Sequence, residues 1–204
     1  MITDEMLVSL RREVARRVSE KRFSHVLGVE RCAARLASYI LPEKETELRA
    51  AAILHDVTKE IPYAEQIKIL EDEGISLTDE DRATEGVLHS FTAPIIVKRD
   101  FEAFATDDIL AAVRNHTVGD ENMSTFEKII FISDYAEDTR TYESCVAVRK
   151  MLFDNIEALG EIDRLNRLNQ ACLASIDGAL EALKRCSRPI NSRMYKTRNS
   201  LLKK

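Results

Sequence analysis

Arg49-Ala50-Ala51-Ala52-Ile53-Leu54-His55-Asp56-Val57-Thr58-Lys59-Glu60 is the stretch on which the reading of this chain turns. Its first half is an unbroken run of small and apolar helix formers, which places a helix in a core. Its second half puts an imidazole and a carboxylate at the end of that helix. Adjacent helical side chains point about 100° apart, so both can reach one centre only near a helix end or beside a groove. An ionised Asp emerging from such a run is costly to bury without a cation nearby.

Around this stretch the composition is helical. Six Gly and four Pro occur in 204 residues, and Ala, Leu, Ile, Glu, Lys and Arg dominate. Periodic apolar faces predict helices over about Ser24 to Ile40, Thr46 (a candidate N-cap) to Lys59, Tyr63 to Asp72 and Gly86 to Arg99. A further helix runs from a cap at Thr106 or Asp107 to His116, with Gly119 in the loop beyond. Thr78 with Asp81, and Ser124 with Glu127, have capping-box spacing, the second opening a helix from Thr125 to about Asp138. Long helical patterns close the chain, from Glu143 through Ile156 and from Asp163 to Lys184. No solenoid repeat or low-complexity tract interrupts them. The expected fold is all-α, one domain over residues 1–188 with closing C-terminal helices, followed by a basic, flexible tail over 189–204.

Charge and cysteine usage narrow the setting. The net charge of −5 is uneven: Lys184 to Lys204 holds eight Lys or Arg and no acid, leaving 22 basic against 35 acidic residues elsewhere, or −13. A net-acidic body disfavours nucleic acid as the partner, and the basic end reads first as a solvated terminus. Cys32, Cys145, Cys172 and Cys186 are scattered with no CxxC pair, as free thiols in a reducing compartment would be. The early residues carry acids where a signal peptide would be apolar, and no stretch has the length of a membrane span. A cytoplasmic location without membrane partners is expected.

Four histidines occur, His25, His55, His89 and His116. Any one of them could be an ordinary core or surface residue. Asp134, inside Ile129-Ile130-Phe131-Ile132-Ser133-Asp134-Tyr135-Ala136, repeats the problem of Asp56: its neighbours favour burial, and a metal, or an Arg partner, would supply the missing charge. The order His25, His55-Asp56, Asp134 resembles the signature of HD-domain metal-dependent phosphohydrolases, and His89 and His116 match members with a second metal site. The strings Lys21-Arg22-Phe23-Ser24-His25-Val26-Leu27-Gly28-Val29, Leu54 to Glu60, Asn115-His116-Thr117-Val118-Gly119 with Asn122-Met123-Ser124, and Asp134 to Arg140 are similar to the YqeK-type symmetrical bis(5'-nucleosyl)-tetraphosphatases. The similarity covers roughly Lys21 to Asn155.

That resemblance implies an HD-domain helical bundle and hydrolysis of diadenosine tetraphosphate to two ADP. It also implies a site of two divalent or trivalent metal ions, iron first, with manganese or zinc as alternatives. One ion would take His25, His55, Asp56 and Asp134; the other would take His89 and His116, with the Asp56 carboxylate between them. Mixed imidazole and carboxylate donors suit these metals better than calcium. Asp56, Lys59 and Arg140 become catalytic candidates, and Lys59, Arg140, Arg22, Thr58 and Asn122 candidates for binding a nucleotide substrate. Lys59 lies one turn beyond His55, and the Arg140 fork suits bidentate phosphate binding; each can also be a plain surface cation.

Two departures bear on the substrate. Asp120 stands where the family commonly has a basic residue and would repel a polyphosphate if it faced the site. His89 lies in Leu88-His89-Ser90-Phe91-Thr92-Ala93 rather than in a small Gly-containing turn. A nucleotidase or other phosphomonoesterase, an oxygen-activating iron protein, and a non-catalytic nucleotide sensor remain as alternatives, and a homodimer is compatible with all of them.

Overall fold

The computed structural model describes residues 2–203. Among these, eleven α-helices and four short 3-10 turns alternate, with no strand. The N-terminal helix α1 (Asp4–Ala15) is capped by Thr3 and buries Leu7, Leu10 and Val14. Next, α2 (Glu20–Ile40) begins four residues earlier than the apolar periodicity indicates, because Ser19 accepts from the Arg22 N–H as its N-cap. It packs along α3 (Glu45–Leu54), which is enclosed by α1, α2, α7 (Asp107–Asn115) and α8 (Thr125–Ala136). Ala50 to Leu54 are all fully buried, as a helix at the centre of a bundle requires. Thr46 does not cap α3: the helix starts at Glu45, and the Thr46 hydroxyl donates to Glu47 instead.

Both predicted capping boxes form, at Thr78 for the short α5 (Asp79–Ala83) and at Ser124 for α8. Thr106 caps α7. Between these lie α4 (Tyr63–Asp72) and α6 (Leu88–Asp100), the latter preceded by a 3-10 turn at Glu85–Val87. On the outer side, α9 (Glu143–Phe153) and the long α10 (Glu161–Arg185) pack against α8. Cys32, Cys145 and Cys172 are buried free thiols, and Cys186 is exposed.

Two further departures from expectation bear on the site. The helix expected to reach Lys59 stops at Leu54; the chain tightens through Val57 N–H to Leu54 O, Lys59 N–H to Asp56 O and Ile61 N–H to Thr58 O. The tail expected over 189–204 is folded over its described residues, which end at Lys203. Arg193–Leu201 form a further helix, α11, which buries Met194, Thr197 and Leu201 against the end of α10. Its anchors are polar: the Thr197 hydroxyl donates to Val118 O (2.9 Å), the Ser192 hydroxyl to Glu80 (2.8 Å) and the Ser200 hydroxyl to Glu121 O. Gly119 makes the approach feasible. It has φ +72°, and a Cβ there would collide with Thr197.

Candidate metal centre

Three helix ends, the second turn of α2 and one tightened turn bring the chemistry to one place. His25 comes from the second turn of α2, His55 and Asp56 from the turn after α3, His89 from the first turn of α6, His116 from the C-cap of α7, and Asp134 from the last turn of α8. The shortening of α3 turns both members of the His55-Asp56 doublet inward, and both are buried. Asp56 is the hub. Its Oδ1 lies 3.2 Å from His89 Nε2 and 3.5 Å from His116 Nε2; its Oδ2 lies 3.4 Å from His55 Nε2 and 3.8 Å from His25 Nε2. His25 Nε2 is also 3.0 Å from Asp134 Oδ1.

The tautomers follow from the outer contacts. His55 Nδ1 faces Ala52 O and His116 Nδ1 faces Val113 O, each at 2.7 Å; a carbonyl can only accept, so each Nδ1 carries the proton. His25 Nδ1 likewise meets the Glu137 carboxylate at 3.1 Å. The Nε2 lone pairs of His55 and His116 therefore point at the Asp56 carboxylate and at one another's neighbours, acceptor against acceptor. His89 Nε2 and His116 Nε2 are only 3.0 Å apart. His55 Nε2 is buried with no hydrogen-bond partner, and His25 Nε2 has only the Asp134 carboxylate, 3.0 Å away. Such an arrangement is satisfied by cations at its centre and by little else.

Two triads have donor atoms all within 4.8 Å of one another: His25, His55 and Asp134, and His55, Asp56 and His116. His55 belongs to both, whereas the sequence assigned it to one ion. His89 joins through its contacts with Asp56 and His116. The donor set of imidazole nitrogens and carboxylates fits a divalent metal of the iron, manganese or zinc type.

Without an ion, the groups polarise one another. Burial opposes charge on Asp56, yet the surrounding imidazoles hold its carboxyl well below the usual range. Asp134 behaves alike, with Arg140 and His25 outweighing its burial. Burial also works against protonated His25, but Asp134 and Glu137 raise it to about 9. His89, buried beside Lys59 and supported by Asp56, falls to about 3 and is neutral, as a metal ligand must be.

A rim of cations surrounds the cluster. Arg22 Nη1 donates to Asp56 Oδ2 (2.8 Å). Arg140 grips Asp134 twice, Nε to the backbone O and Nη2 to Oδ1, both at 2.6 Å. Lys59 Nζ lies 3.2 Å from His89 Nδ1 and donates to Gly86 O (3.3 Å), with burial lowering its pKa. Thr58 and Asn122 stand apart from this rim. Thr58 is fully buried, its hydroxyl donating to His89 O (2.9 Å) while accepting from Thr92, so it steadies the backbone of His89 rather than a phosphate. Asn122 is exposed in its loop, where its N–H donates to Asp120 Oδ1 (3.1 Å).

Sequence reasoning overlooked Glu137 and Thr117. Glu137 is buried, orients His25, and is itself held by the Thr139 N–H (2.6 Å) and hydroxyl (2.7 Å). Its backbone leaves the helix there, which ends α8 at Ala136 rather than near Asp138. Gly28 admits it, since a Cβ at that position would collide with Glu137 Oε2. The signal was present in Gly28 and in the acid three residues after Asp134, but only the pairing of α2 with α8 connects them. Thr117 Oγ1 touches His89 Nε2 (3.1 Å) and His116 Nε2 (3.0 Å).

The HD domain family matches residues 22–138, a span that begins at Arg22 and takes in all six clustered side chains. The chain belongs to the HD-domain family. Within it, the HD chain is 31% identical over 93% of its length to the symmetrical bis(5'-nucleosyl)-tetraphosphatase of Bacillus subtilis, covering 94% of that protein. It is 30% identical to the protein of the same name from Halalkalibacterium halodurans, with 91% of each chain covered. A crystal structure of a "predicted HD superfamily hydrolase involved in NAD metabolism" from Clostridium acetobutylicum superposes with a TM-score of 0.83 at 29% identity, over 100% of this chain and 99% of that one. The all-helical HD fold is thereby shown for this chain along its whole length.

Proposed function

We propose that this HD-domain hydrolase cleaves a dinucleoside polyphosphate symmetrically, diadenosine tetraphosphate and water giving two ADP, at a pair of metal ions held by His25, His55, Asp56, His89, His116 and Asp134. The convergence of four buried imidazoles on the Asp56 carboxylate carries the reading of the site. The activity named for relatives that match over more than nine-tenths of the chain supports the substrate. When bound, such ions supply an activated water and neutralise charge on the phosphoryl oxygens.

The chain's own residues do the remainder. Asp56 faces all four imidazoles; it belongs to one triad and meets the other through His55 and His25. Arg22, Lys59 and Arg140 ring the cluster with charge that a polyphosphate can engage, each offering donors that its present contacts do not exhaust. Glu137 and the carbonyls of Ala52 and Val113 hold three Nδ1 protons outward, so the Nε2 atoms stay available. Beside Lys59 and Thr117 a cavity of about 480 Å³ opens, walled by Val87, Val118, Ala179, Leu183 and Met194, with the shape and apolar lining a nucleoside needs.

Asp120 does not weaken this reading. It is exposed, accepts from its own loop and acts on Arg114 rather than on the cluster. We assign iron as the first choice of metal, with manganese or zinc able to replace it, a cytoplasmic location, and a homodimer as the assembly to test by sedimentation. Among the described residues no helix is long and apolar enough to cross a membrane. The deciding experiment incubates iron- or manganese-loaded protein with diadenosine tetraphosphate and resolves the products. ADP alone supports the proposal; AMP with ATP, free phosphate, or a nucleotide held for hours without turnover would replace it.

A further inference from the structure

Behind α6 and α7, away from the histidines, lies a second cavity of about 740 Å³. None of the six clustered side chains lines it. Its most unusual feature is one aromatic ring shared by two arginines: the Arg114 guanidinium lies 3.6 Å from the Phe91 ring centroid, and that of Arg193 lies 4.7 Å from the same centroid. Lys98 and Arg99 add positive charge at the cavity wall and Glu73 and Asp81 negative charge, so that with Arg114 and Arg193 the cations outnumber the carboxylates four to two.

Arg114 and Arg193 share one ring, whereas Arg35 stacks alone on Phe153, and they lack the ion pairs that several other arginines make. Arg11, Arg17, Arg22, Arg31 and Arg49 each meet a carboxylate in an ion pair. Among the described residues neither Arg114 nor Arg193 does, and neither guanidinium has a hydrogen-bond acceptor; Asp81 and Asp120 act on Arg114 only at longer range. Stacking on a ring uses the face of a guanidinium and leaves its in-plane N–H donors free. Two like charges are thus held close over one ring, beside an open cavity, with spare donors. At that distance each guanidinium repels the other. An anion between them would relieve both.

We propose that this cavity is a second, separate anion site, taking a small phosphate-bearing molecule with Arg114 and Arg193 as its clamp. Phosphate is favoured over a carboxylate because two convergent guanidiniums can offer more donors than one carboxylate can accept. The site is built on elements that also serve the metal centre. Phe91 shares α6 with His89, Arg114 precedes His116 by two residues, and Arg193 adjoins Met194, which walls the cavity beside Lys59.

The test is equilibrium dialysis of the metal-loaded protein against radiolabelled inorganic phosphate and, separately, ADP. Because the metal centre also takes phosphate in our reading, wild type is expected to bind two equivalents. Arg114→Gln and Arg193→Gln should each weaken the second equivalent at least tenfold with metal content unchanged. Arg193, half-exposed on α11, keeps the test open if Arg114→Gln fails to fold. Asp56→Ala should show the converse, losing the equivalent at the cluster and keeping the one at Arg114, which separates failure of this proposal from failure of the metal-centre reading. ADP in the second equivalent identifies a nucleoside phosphate as the ligand; phosphate bound with ADP excluded identifies a free phosphate. A second equivalent undiminished in both arginine variants, or a single equivalent in wild type that Asp56→Ala abolishes, would overturn the site.

Discussion

The metal centre and the C-terminal helix α11 are two polar regions built on opposite principles. At the centre, charge is concentrated and buried: six side chains from five segments face one point, and His55 Nε2 has no partner of its own. Along α11, polarity is dispersed. Thr197, Ser192 and Ser200 each make a separate hydrogen bond to the body. A concentrated site depends on every member, because one lost ligand leaves the others as uncompensated acceptors. A dispersed one loses only the bond removed. The two should therefore respond to substitution in different ways.

The largest effect is expected at the hub. Asp56→Ala should lose at least one metal equivalent and nearly all hydrolysis, checked by metal analysis of protein purified without chelator together with turnover. A wild-type metal content in that variant would remove the distinction between the regions. Glu137→Gln, which keeps the shape but not the charge behind His25, should lower metal affinity roughly 10–100-fold. Gly28→Ala should do the same by displacing Glu137, although it alters no ligand; chelator competition measures both.

Lys59→Ala, at the rim, should retain its metal and lose about 1.5–3 kcal/mol of substrate binding, read as a higher KM. On α11, Thr197→Val should leave metal and turnover alone and destabilise by about 1–2 kcal/mol, as the buried Val118 carbonyl loses its donor. At this chain length that is a fall in Tm of roughly 2–8 °C in a thermal scan. A loss of metal in this variant would show that the two regions are coupled.

The smallest effect belongs to a surface pair. Arg99, followed by Arg17, holds the Asp100 carboxyl at about 2 against a partial burial that opposes it. A depressed carboxylate adds stability above its unfolded pKa and loses it as pH falls through the folded value. Asp100→Asn should accordingly lower stability by less than ~1 kcal/mol near neutrality, with the difference closing between about pH 4 and pH 2 in denaturant titrations.

Much of the fold and half of the site could be read in advance. The helix holding Ala50 to Leu54 announced itself because an apolar run has few alternatives to burial. Ser124 and Thr78 marked helix starts because their partners lie three residues away. Asp56 and Asp134 stood out as carboxylates that burial would penalise. Thr58 and Asn122 were misplaced because a hydroxyl or amide near a motif looks the same whether it faces a ligand or a backbone carbonyl. Glu137 escaped notice because its value lies in a contact with His25, 112 positions away.

What the amino-acid sequence determined by itself was local: which segments are helical, where they are capped, and which ionisable groups sit among neighbours that exclude water. Only the tertiary structure decided that α3 stops at Leu54 and so turns His55 and Asp56 to the same side, that Glu137 meets His25 across Gly28, and that the basic end folds down as α11. Helix formation and capping act over one or two turns, whereas these outcomes depend on the packing of elements distant in the chain, which no short stretch of residues encodes alone.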